Sequence, residues 1–316
     1  MISLYESILN TTKKKVGKFR ENFQIDIIKE WFDKNVKLSK HATYKISDNP
    51  NTDGKYIVTI VGNESFFRTD LIFLGESTTN GLFEYNFEGI RYLLIKGTYL
   101  KHFDGFSNST GIDGLSISEC NSIDRIEGFP KCRSFSLTWC PNIKYIKFPI
   151  MPEYDGKGRR ITTQGMIDIY QCPKLTTVEW SSSFFETKFT DCPILNTFKN
   201  APEYAGTMSV EDCQSFTSLK GLPKHLDVLE IVNCSKFSSF KGTVKVVDNH
   251  IKIQNTAIQD FKNLPKVLDY IQVYKCNIKD WSFDRVAPGR CLWYDTPTPP
   301  SNNGSRPMFV HSRPTD

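Results

Sequence analysis

From Gly221 to Pro265 the chain shows one unit and then its copy. The run GLPKHLDVLEIVNCSKFSSFKG places Leu226, Leu229, Ile231, Cys234, Phe237 and Phe240 at fixed offsets after Leu222-Pro223. A further unit opens at Leu264-Pro265 and sets Leu268, Ile271, Val273, Cys276, Ile278 and Trp281 in almost the same frame. A repeat of about 21 residues is too short to bury its own apolar face, so such units must stack on one another as a solenoid.

The core of the frame is apolar-x-apolar-x-x-Cys, followed by apolar residues three and six positions later. It recurs as Leu115/Ile117/Cys120, Phe135/Leu137/Cys140, Ile167/Ile169/Cys172, Thr187/Phe189/Cys192, Met208/Val210/Cys213 and Leu229/Ile231/Cys234. Three variants, Leu93/Ile95/Thr98, Ile251/Ile253/Thr256 and Ile271/Val273/Cys276, are one residue shorter after the Cys or Thr. Nine rungs follow, from about residue 91 to 283.

With its Leu-Pro-x-x-Leu-x-x-Leu-x-Ile/Val-x-x-Cys pattern, the chain resembles the leucine-rich repeat family, most of all its short bacterial type. The resemblance covers Tyr92 to Trp281, with Cys in the place usually given to Asn and with Phe or Ile often replacing Leu. It implies an α+β fold: a short-repeat solenoid of parallel strands closed by a small N-terminal α+β cap. The opening SLYESIL is similar to the starts of tailed-phage and gut-bacterial proteins that carry such degenerate repeats, which implies docking of the N-terminal segment on a phage particle.

Seven of the nine cysteines hold one repeat position, which a solenoid turns inward. No Cys pair has the two-to-four-residue spacing of a metal site. These thiols read as structural, a small apolar group with a weak S–H donor. No metal or other cofactor is expected. The net charge of +5, from 40 basic and 35 acidic residues, is too small for a dedicated nucleic-acid binder. No apolar run reaches transmembrane length, and Glu6 inside the first apolar run argues against a secretory signal. The expectation is a protein made in the cytoplasm, without a membrane partner.

Residues 1–90 do not fit the repeat and read as the cap and docking segment. SLYESIL and FQIDIIKEWFDKN (residues 23–35) have helical spacing, with a lysine-rich link between them. ATYKIS and KYIVTIVG alternate around the turn signal DNPNTDG, which predicts a hairpin, and FFRTDLIFLG adds a strand. Cys140 and Cys172 lie 32 positions apart, so an insertion near 149–163 interrupts the rungs and carries Lys157, Arg159 and Arg160. After Trp281 the frame stops. Residues 284–316 are expected to form a C-terminal cap, with Leu292, Trp293 and Tyr294 over the last rung, and an extended tail.

Between the inward apolar residues, the alternate strand positions face the concave sheet surface. They form two columns, Ser116, Ser136, Asp168, Lys188, Ser209, Glu230, Lys252, Gln272 and Ser118, Thr138, Tyr170, Thr190, Glu211, Val232, Gln254, Tyr274. Aromatic residues anchor protein interfaces, so Trp139, Tyr170, Tyr270 and Tyr274 are the candidate binding residues, with Lys157, Arg159 and Arg160 of the insertion. The five histidines share no repeat phase, and no nucleophile motif accompanies them. Some secreted bacterial ubiquitin ligases follow similar repeats with a large catalytic domain, but only a short segment follows Trp281. No catalytic residue is expected. The expected function is non-enzymatic recognition of a protein partner through the concave face. The alternative is an accessory virion component docked through residues 1–20 or the tail. A third reading is binding of a glycan or nucleic acid through the aromatics and the basic loop, its nucleic-acid version disfavoured by the mixed charge of the concave columns.

Overall fold

The computed structural model describes residues 23–62, 68–75, 81–149, 165–283, 289–297, 299 and 308–311, less 98, 102, 104–105, 107–111, 130–131 and 181. SLYESIL, the lysine-rich link and the insertion bearing Lys157, Arg159 and Arg160 lie outside the described residues.

Each apolar-x-apolar frame forms a short strand, because alternate side chains must reach opposite faces. These strands join one long parallel stack: Arg68–Phe73, Tyr92–Lys96, Gly114–Ser118, Ser134–Thr138, Met166–Tyr170, Glu186–Thr190, Tyr204–Glu211, His225–Val232, Val246–Gln254, Tyr270–Tyr274, Arg290–Tyr294 and Met308–His311. Inward residues align from rung to rung, as in Leu93↔Leu115, Leu115↔Phe135, Phe135↔Ile167 and Leu229↔Ile251. The pairing of Phe135 with Ile167 spans the insertion, so the register survives it. The chain is a parallel β-solenoid.

After each Cys the backbone turns. The Leu175 N–H donates to the Cys172 carbonyl at 3.0 Å, and Phe237 repeats the bond to Cys234 at 2.9 Å. Short strands then pair in a second sheet, Arg125–Ile126, Tyr145–Lys147, Thr177–Glu179 and Thr197–Lys199. Between the sheets lie the residues that the frame points inward, including Ile167, Ile169, Cys172, Leu175 and Val178, all without solvent exposure. Full burial of one such aliphatic or aromatic side chain stabilises by about 1.5–3 kcal/mol. The Phe216 and Phe237 rings of neighbouring turns stack at 5.4 Å.

At the N-terminal end, a helix over residues 23–35 buries Ile28 and Phe32. Trp31 packs edge-on against Phe83 at 5.3 Å. Ala42–Ile46 and Tyr56–Gly62 pair antiparallel around the turn at Gly54, as the hairpin signal predicts. Tyr56–Gly62 also runs parallel to Phe83–Glu88, while Arg68–Phe73 runs parallel to Tyr92–Lys96. Two-sheet coiling therefore begins well before residue 91. Among the described residues no helix is long and apolar enough to cross a membrane.

The stack also continues past Trp281. Arg290–Tyr294 pairs in register with Tyr270–Tyr274, so residues 290–294 extend the sheet where the sequence suggested a covering segment. Met308–His311, within the expected tail, adds a further strand. The frame does persist, as Cys291-x-Trp293-x-x-Thr296, with Cys in an apolar place and Thr in the Cys place.

Candidate functional site

From the strand Tyr92–Lys96 to Arg290–Tyr294, the rungs leave the long sheet through the same corner. The residue before the Cys or Thr takes left-handed backbone: Glu119 (φ 57), Trp139 (54), Gln171 (53), Asp191 (53), Asp212 (54), Asn233 (54), Asn255 (50), Lys275 (49) and Asp295 (47). At the equivalent Gly97 (φ 147) a Cβ would lie 2.5 Å from the Phe73 carbonyl oxygen, so the close approach demands glycine.

The corner also explains the cysteines. The strand-end carbonyls of Thr138, Tyr170, Thr190, Glu211, Val232 and Tyr274 each accept two hydrogen bonds, one from the left-handed N–H of the preceding rung and one from the thiol two residues on. At the Glu211 carbonyl these come from Asp191 N (3.1 Å) and Cys213 Sγ (3.2 Å). At Val232 they come from Asp212 N (3.0 Å) and Cys234 Sγ (3.4 Å). At Tyr294 the second donor is the Thr296 hydroxyl, at 2.9 Å. The position selects a small side chain with a proton to donate. All nine cysteines are free and buried, and burial pushes the thiols of Cys132, Cys234 and Cys291 up to about 12.

Along this corner runs a groove of about 960 Å³, lined by Leu74, Lys96, Tyr99, Glu119, Trp139, Pro141, Gln171, Pro173 and Asp191 among others. It crosses six successive strands, five spacings or about 24 Å. Trp139 and Tyr99 are each 56% exposed and Leu74 is 53% exposed, so three large apolar side chains share one concavity. Lys96 and Glu119 pair across it at 3.1 Å, and Asp191 adds an exposed carboxylate toward one end. The turn prolines Pro141 and Pro173 lend rigidity to its wall.

The candidate aromatics separate into two pairs. Trp139 projects into the groove and Tyr170, 36% exposed, stands on the neighbouring strand. Tyr270 is only partly exposed: it stacks on His250 at 4.8 Å, and the Arg290 guanidinium lies 5.5 Å from its ring. Burial raises its phenol and lowers the His250 imidazole. Tyr274 is 8% exposed and is corrected from an exposed anchor to a buried residue. The reason is the added strand Arg290–Tyr294, which flanks it on the side opposite Gln254. Ser209 is likewise buried, with its hydroxyl donating to Glu211 Oε1 at 3.1 Å.

The spacing of the histidines concealed one pair. His225 Nε2 lies 2.7 Å from Asp248 Oδ2, and its ring packs edge-on against Tyr204. Among the described residues no group of three or more His, Cys, Asp or Glu could hold a metal ion. Tyr99 and Leu74, which the sequence did not single out, complete the groove. The available signal was their place, Tyr99 one residue past the Cys position and Leu74 at it, in frames whose Cys is replaced by Thr98 and Leu74.

No protein-family model matches the chain, and no curated protein or solved structure shows detectable similarity to it.

Proposed function

We propose that this chain is a non-catalytic recognition module that holds an extended segment of another protein in the corner groove. The observation that carries the proposal is the convergence of Trp139, Tyr99 and Leu74, all more than half exposed, on one groove along a rigid hydrogen-bonded corner. Exposed aromatics gathered in a concavity are the usual anchors of protein interfaces. A length of about 24 Å accommodates roughly seven residues of extended chain. The partner supplies apolar or proline side chains to Trp139 and Tyr99, and a basic group toward Asp191.

The same proposal takes the coil as a leucine-rich-repeat type of solenoid, with residues 23–46 capping its first turn. Its support is the frame itself and the burial of Ile28 and Phe32 against the first strands.

The test is selection of a displayed random-peptide library on the intact protein, followed by titration of the enriched peptides against Trp139→Ala. The proposal predicts peptides that lose about tenfold or more in affinity, the effect of removing one anchor. Enriched peptides that bind the variant unchanged would remove the groove from the account.

A further inference from the structure

A second hollow, of about 400 Å³, lies on the outer face of the long sheet near the strand starts, away from the corner groove. Its floor is cut by small residues. The strands Gly114–Ser118 and Ser134–Thr138 present Gly114, Ser116, Ser134 and Ser136 where their neighbours present bulk. One wall is Tyr92, 43% exposed, whose ring occupies the space above Gly114: a Cβ there would meet Tyr92 Cδ1 at 2.5 Å. The other wall is Met166, three strand spacings or about 14 Å away.

Among the described residues the side chains of Ser116, Ser134, Ser136 and Asp168 make no hydrogen bond or ion pair. Asp168 is half-buried, and burial holds its carboxyl above the usual range, against the lowering pull of Lys188. Arg68 at the rim is already paired to Asp70 at 3.0 Å.

We propose that this hollow binds a neutral pyranose residue of a glycan, its C–H face against Tyr92 and Met166 and its hydroxyls on Asp168 and the serines. Such a ligand combines apolar faces with a dense rim of donors and acceptors, which matches apolar walls around free hydroxyls and a carboxylate. A wholly apolar group would leave those polar atoms desolvated without partners. An anionic group would meet Asp168 at close range, with the nearest guanidinium already neutralised by Asp70. The site is separate from the corner groove and does not depend on it.

The experiment is a printed panel of neutral and acidic oligosaccharides probed with the full chain, followed by calorimetric titration of the methyl glycoside of the best terminal sugar. Binding of a neutral glycan is expected, weakened about tenfold or more by Tyr92→Ala and by the near-isosteric Asp168→Asn. Trp139→Ala should leave it unchanged. Asp168→Asn keeps side-chain volume, so it remains informative if Tyr92→Ala melts early. Absence of neutral-glycan binding, binding restricted to acidic glycans, or full binding by a folded Asp168→Asn protein would overturn the proposal.

Discussion

The backbone N–H of Trp139 donates to the carbonyl of Tyr170 at 3.2 Å, joining the two most exposed candidate aromatics across neighbouring rungs. The bond closes over an insertion that separates the two residues by 31 positions. It holds Trp139 at φ 54, where its side chain projects into the groove.

That conformation separates stability from binding. Left-handed backbone costs a residue with a Cβ about 1–2 kcal/mol, and Asn tolerates it better than Trp. Trp139→Asn is expected to keep or raise stability by up to about 1 kcal/mol in urea unfolding. The same substitution should abolish recognition of groove-selected peptides. A loss of stability above that amount would mean that Trp139 is a packing residue.

The cysteine corner makes a chemical prediction. Cys213→Ala deletes one of two donors to the Glu211 carbonyl along with buried volume, and should cost about 1–3 kcal/mol. Cys213→Thr keeps a donor of the kind that Thr296 supplies, and should cost less than the Ala variant. Equal losses in the two variants would show that volume alone sets the preference.

Thiol ionisation gives a pH dependence with a definite sign. Cys132, Cys234 and Cys291 have an ordinary value of 9.0 when exposed and are pushed up to about 12 in the fold. Below pH 9 both states hold these protons, so stability is insensitive to them. Between pH 9 and 12 the unfolded chain binds fewer protons, and stability falls by about 1.4 kcal/mol per pH unit for each fully shifted thiol. Denaturant titration across that range tests this, together with a thiol reagent that should label no cysteine before unfolding and all nine after it.

Tyr274 and Tyr170 should respond unequally to truncation. Tyr274→Ala empties a buried site and is expected to cost about 3 kcal/mol. Tyr170→Ala removes a side chain that is 36% exposed and should cost about 1 kcal/mol or less. Thermal melts of the two variants decide the point.

The repeat frame made the inward residues legible, because a period near 21 with two-residue alternation leaves little freedom in what faces the core. Its ends were not legible. Cys291 stands where a larger apolar residue was expected, and Thr69 holds the inward place of the first long-sheet strand, opposite Leu93. Spacing alone carried those rungs, and composition hid them. Tyr274 was misread for the same reason: its outward phase was right, but the strand that buries it was missing from the count.

The groove was harder still. Leu74, Tyr99 and Trp139 lie far apart in the chain and meet only because the corner repeats at each turn. Trp139 was visible as an unusual residue before a Cys. Leu74 and Tyr99 could be recognised only once their rungs were aligned in the sheet. The pairing of His225 with Asp248 likewise needed the diagonal offset between adjacent strands.

The central claim is that the corner groove, rather than the long sheet as a whole, holds a protein partner. Site-specific incorporation of a photo-crosslinking phenylalanine at Trp139, compared with the exposed Leu268 far along the stack, tests it in native lysate. Irradiation should give one discrete protein adduct from position 139 and none from position 268, with mass spectrometry placing the crosslink in a short extended segment. Equal adducts from both positions, or none from position 139, would contradict the account.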